Sequence, residues 1–185
     1  MRLILMLALA AYAVLQNQGN GQSHHGGHHN GAAASPYAAF EQPQIKALSD
    51  QQIADLRAGR GMGLALTAEL NGYPGPLHVL ELADALDLTE EQRNLTNALI
   101  DAMRSETIMI GERVIRHEAT LDSAFAHRTI TPGMLLDSVR SAATAQGELR
   151  AAHLRYHLTM SELLQPDQIA RYMSLRGYGP RPSNP

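Results

Sequence analysis

Apolar positions recur in steps of four and three over residues 131–164. Leu135, Val139, Ala142, Gln146, Leu149, His153, Tyr156, Met160 and Leu163 form a heptad seam along one face of a long helix. Thr131 is its expected cap and Pro132 its first residue. A second long pattern covers 88 to about 125. It opens on Thr89 with Gln92 three residues on, a capping box, and Glu90 and Glu91 complement the helix dipole. Its apolar face reads Leu95, Leu99, Ala102, Met109 or Ile110, Val114, Leu121 and Phe125, with Glu106 and His117 on the same face. Residues 126–130 are short enough to fold the two back on each other. The expected fold is all-α: a long antiparallel helical hairpin with short flanking helices.

The flanks follow the same logic. Ser49 with Gln52 is another capping box, and Gly59-Arg60-Gly61-Met62-Gly63 breaks the helix it starts. No strand precedes that glycine run and no Lys-Ser or Lys-Thr follows it, so it reads as a joint and not as a phosphate loop. A helical pattern resumes over 64–70, and Asn71-Gly72-Tyr73-Pro74-Gly75-Pro76 forces a turn. Pro76 can open the next helix, through 86, with His78 as a capping or core-edge group. A last short helix follows Gln165-Pro166-Asp167-Gln168, and residues 177–185 should fray.

Before the hairpin the pattern changes. Arg2 precedes an apolar run over 3–10, and Ala11-Tyr12-Ala13 offers the small residues of a cleavage site. Residues 1–13 therefore read as a signal peptide, too short to span a bilayer, which needs about 20 apolar residues. Residues 14–48 are expected to be a disordered tail, since they hold too little apolar surface to offset their ordering entropy. Within it lie His24, His25, His28 and His29, either a loose metal-binding cluster or a solvated linker. The helical domain is then 49–176.

Composition narrows the chemistry. The chain has 185 residues, no Cys, no Trp, two Phe and a net charge of −3. Missing cysteine excludes disulfides and thiolate chemistry. With no basic stripe, nucleic acid is not an expected partner. His153 and His157 share a helix face, as two imidazoles at i and i+4 can when they chelate a metal. In an antiparallel hairpin turning near 129, they face the neighbourhoods of Glu106 and Asp101. Glu106 could complete a three-ligand site and Met160, one turn on, could add a soft ligand. Zinc, nickel, cobalt or copper suits such a set. The competing reading makes His153 a seam histidine hydrogen-bonded to Glu106, and His157 a partly exposed helix residue. An Ala/Leu seam suggests no cavity where polar groups converge, so no catalytic residues are assigned and no enzyme is expected.

Leu88-Thr89-Glu90-Glu91-Gln92 resembles the Leu-Thr-x-x-Gln motif of the Spy/CpxP-like periplasmic proteins, and Leu164-Gln165-Pro166-Asp167-Gln168 resembles a second copy with Gln165 in place of Thr. Two copies flanking a helical hairpin behind an export signal is also the layout of their heavy-metal sensor and resistance relatives of the CnrX and ZraP type. The resemblance spans 49–175. It implies a periplasmic, cradle-like homodimer with one of two roles. One is a metal-responsive protein that binds a divalent transition metal and informs a membrane-bound sensor or regulator. The other is an ATP-independent chaperone that holds unfolded clients in envelope stress. In the metal sensors a helical His is followed four residues later by Met; here that position is His157. The chaperones tend to have a strongly basic cradle; this chain is slightly acidic.

Overall fold

The computed structural model describes Ser35 and residues 43–178. These residues are all-helical, with no strand among them. Six helices follow in order: α1 (Asp50–Arg57), α2 (Leu66–Glu69), α3 (Pro76–Glu81), α4 (Glu90–Ala126), α5 (Pro132–Leu163) and α6 (Pro166–Leu175). The expected caps form. The Ser49 and Thr89 hydroxyls accept from the N–H groups of Gln52 and Gln92, and each glutamine side chain returns to the capping residue's N–H. Thr131 caps α5 through the N–H of Met134. α3 stops at Glu81, earlier than the apolar pattern suggests, and residues 82–87 turn into α4.

The two long helices pack together. Contacts pair Gln92 with Leu163, Thr96 with Met160, Glu106 with Arg155, Arg113 with Glu148 and Glu118 with Gln146, so positions rise along α4 as they fall along α5. The buried faces coincide only in part with those the apolar pattern suggests: Ala142, Leu149, His153 and Met160 of the α5 seam are buried. On α4, Ile110 and Val114 are buried as expected, but Leu95, Met109 and Phe125 are exposed, while Thr96, Ile100 and Thr107 are buried in their place. Threonine can serve a core face because its hydroxyl bonds back along its own helix. Thr96 donates to the Gln92 carbonyl at 2.7 Å and Thr107 to that of Met103 at 2.8 Å, leaving a methyl group to pack. On α5 the buried line runs Ala142, Ala145, Leu149, Ala152, His153, His157, Met160 and Leu164, and Gln146 is exposed. Leu135 and Val139, expected in the seam, are also exposed.

Two apolar clusters hold the helices. One joins Leu56 of α1 to Ile110, Val114 and Ile115 of α4 and Ala145, Leu149 and Ala152 of α5. Ile45 and Leu48 belong to it, so chain assigned to the tail packs on the core. The other joins Val79, Ala83 and Leu86 to Leu88, Met160, Leu164 and Tyr172. Between them the segment from Ala58 to Pro76 crosses α5, and the site lies there.

Candidate functional site

His153 and His157 stand one turn apart on α5, 3% and 9% exposed. The chain over 58–78 covers them. Its route requires glycine at two places. Gly59 has φ +64°, a left-handed conformation, and a side chain there would meet the Thr107 hydroxyl at 2.7 Å. Gly75 lies against the His157 ring, where an added Cβ would stand 2.9 Å from Cε1. The ring can therefore reach the backbone, and its Nδ1 lies 2.7 Å from the carbonyl oxygen of Tyr73. A carbonyl only accepts, so Nδ1 carries a proton and donates it, and in the neutral ring Nε2 is then the nitrogen with the free lone pair.

Glu69, at the end of α2, is 4% exposed and is the carboxylate nearest the pair. It accepts from the N–H of Gly75 at 3.0 Å and from the Tyr172 hydroxyl. His78 Nδ1 lies 3.3 Å from Glu69 and His157 Nδ1 3.6 Å. Arg176 Nε approaches the same carboxylate at 3.9 Å. Four segments of the chain thus meet on one buried carboxylate. Burial, then the hydrogen bond to Glu69, pushes the Tyr172 phenol well above its ordinary range.

His153 differs from its neighbour. Its Nε2 is buried without a hydrogen-bond partner. Burial, and secondarily the charge of His157, holds its imidazole below the ordinary pKa, which keeps it neutral. Both histidines line a cavity of about 790 Å³, roofed by the turns over 58–65 and walled by Leu66, Leu77, Ile100 and Met103. The apolar seam suggested no cavity, because the crossing of 58–76 over α5 leaves no periodic trace.

The other expected ligands lie elsewhere. Glu106 does not line this cavity; it accepts from Arg155 at 2.5 Å and from the Tyr156 hydroxyl at 2.9 Å. Burial raises its pKa, but those two hydrogen bonds and the Arg155 charge outweigh it, and the net shift is downward. Neither histidine hydrogen-bonds to Glu106; their rings lie against Gly61, Gly75 and the Tyr73 carbonyl of the crossing segment. Met160 is fully buried, its sulfur 3.8 Å from the Thr96 hydroxyl. His24, His25, His28 and His29 lie outside the described residues, as does the 1–13 segment. His117 borders a shallow depression with Ser141, as the antiparallel register suggests.

Sequence reasoning missed Glu69, Tyr73 and Tyr172 and read His78 only as an edge group. A turn rich in glycine and proline beside a histidine-bearing helix was the available signal. Among the described residues, no three His, Asp or Glu side chains form a group able to hold one metal ion. The fit to a metal is therefore two imidazoles, with further positions left to solvent or another ligand. No family model, curated protein or solved structure matches the chain.

Proposed function

We propose that this is a metal-responsive helical protein that takes a divalent transition metal (zinc, nickel, cobalt or copper) on His153 and His157. The observation that supports it most is the hydrogen bond from His157 Nδ1 to the Tyr73 carbonyl. Ligand histidines commonly donate one ring nitrogen in this way, which orients the other toward the metal. Desolvation adds to the case, since a neutral His153 needs no proton removed before it ligates. Glu106 and Met160 drop from the ligand set, and Glu69 acts behind His157 and His78. The reading keeps the role that resemblance to the Spy/CpxP-like metal sensors implies: an exported protein that reports metal to a membrane partner.

Calorimetry of the mature protein with each of the four metals tests the proposal. Removing residues 22–30 separates the tail histidines from the helical pair. A site should persist without the tail and disappear in the His153→Gln/His157→Gln double variant. Equal affinity with and without the helical pair would end the proposal.

A second reading, an ATP-independent holdase that works as a homodimer, is favoured by a different observation. Phe125, Met134, Leu135, Leu136 and Val139 are all at least 40% exposed at the far end of α4 and α5. An apolar patch of that kind suits a client chain or a second copy. Leu135→Glu/Val139→Glu should abolish suppression of client aggregation in metal-free buffer. Undiminished suppression would reject this surface.

A further inference from the structure

The cavity over His153 and His157 has features that a two-histidine metal site does not use. Met62, Leu66 and Leu77 line it and remain 40%, 56% and 48% exposed, so its mouth is a ring of uncovered apolar side chains. Ile100 and Met103 continue the apolar wall inward. At about 790 Å³ it falls in the range of small-molecule sites, where apolar walls carry a few placed polar groups.

The fixed charges decide the ligand class. Three residues with fixed charge line the cavity: Glu69, Arg60 and Arg104. Glu69 is buried and already accepts from Gly75 and Tyr172. Arg60 is held by Asp55 at 2.6 Å. Among the described residues, Arg104 has no ion pair of its own. One free guanidinium beside apolar walls matches a single negative charge on an apolar body. An organic ammonium, which cannot use the imidazole lone pairs as a metal ion can, would meet two guanidinium groups, and a multiply charged anion would lose hydration to walls that return nothing.

We propose that this cavity binds a small organic anion, a monocarboxylate with an apolar body, its carboxylate on Arg104 and its apolar part against Ile100, Met103 and Leu77. Guanidinium and carboxylate pair through two parallel hydrogen bonds, which fixes which end of the ligand faces outward. Gly61 offers a handle on the roof: a Cβ there would stand 3.9 Å from the His153 ring, ordinary contact distance, and its backbone is not left-handed. A phenylalanine at this position would fill space the ligand needs.

The test is calorimetry of the full chain, stripped of metal with EDTA, against hexanoate, 1-hexanol and hexylammonium. Hexanoate should bind saturably and at least about tenfold more tightly than 1-hexanol, the scale of one charge-assisted hydrogen bond. Hexylammonium should not bind. In Arg104→Gln, an exposed position, acid and alcohol should bind alike. Gly61→Phe, with unchanged helicity, should bind neither. Equal affinity for acid and alcohol in the wild type, no saturable hexanoate heat, or wild-type affinity in either variant would overturn the proposal. Because metal is absent throughout, failure of the metal reading leaves this result untouched.

Discussion

The side-chain amides of Gln92 and Gln168 hydrogen-bond to each other in both directions. Nε2 of Gln92 donates to Oε1 of Gln168 at 2.8 Å, and the return bond is 3.1 Å. Each Oε1 also accepts the N–H of its own helix cap, Thr89 or Gln165. The remaining donors go to the carbonyls of Leu163 and Leu86. Both amides are buried, and all their donor and acceptor positions are used. The repeated Leu-x-x-x-Gln pattern is therefore a clasp: it caps two helices and joins their ends.

Replacing one amide with a carboxylate should open that clasp. Gln92→Glu removes two donors and sets negative charge against the Gln168 Oε1 and the Leu163 carbonyl. A loss of about 2–4 kcal/mol is expected, the scale of a buried polar group left without its partners. Urea unfolding at neutral pH measures it; a change under about 0.5 kcal/mol, as for a surface substitution, would refute the clasp.

Glu69→Ala should be costly for a different reason. It deprives the buried Tyr172 hydroxyl and the Gly75 N–H of their acceptor at once. Two orphaned donors predict a loss of about 2–4 kcal/mol. Chemical denaturation checks the size. Glu148→Gln serves as the contrast, because the Arg113–Glu148 pair has both side chains more than 40% exposed. It should change stability by less than about 1 kcal/mol.

At Gly111 two effects compete. Alanine gains about 1 kcal/mol of helix propensity over glycine in the middle of α4. But its Cβ would stand 2.6 Å from the Leu56 carbonyl oxygen, a backbone atom that cannot rotate aside. Forcing α1 off α4 should cost about 1–3 kcal/mol, so the net effect is destabilising. A higher melting temperature for Gly111→Ala would contradict this contact.

His153 predicts a pH dependence. Its folded pKa lies below the ordinary value of about 6.5. Between the two values the unfolded chain holds a proton that the folded chain lacks, so acid favours unfolding. Stability present above about pH 6.5 should fall as pH drops through that window. His153→Gln should flatten the fall when melting temperature is followed from pH 7.5 to 5 in chelator. An unchanged slope would assign the acid sensitivity to other groups.

The elements were legible where one side chain signals one backbone event. Ser49 and Thr89 mark helix starts through hydroxyls that cap them, and the prolines at 132 and 166 open α5 and α6. The packed faces were less legible. Thr96 and Thr107 look polar in a sequence, yet each hides its hydroxyl in its own helix, so the apolar period points about one position off. The histidine pair could be read from its i, i+4 spacing. Its surroundings could not, because they depend on the 58–76 crossing, where Gly75 admits the His157 ring and Glu69 arrives from α2.

One consequence follows from how burial is distributed along α5. Residues 132–141 contain no buried side chain, whereas Leu149, Ala152, His153, His157 and Met160 are all buried. Backbone amides open by local fluctuation where few apolar contacts must be broken and by global unfolding where many must. Deuterium should therefore enter α5 as a gradient, fast near Met134 and slow near Met160. Mechanically, α5 is a lever clamped at the histidine end and loose at its tip.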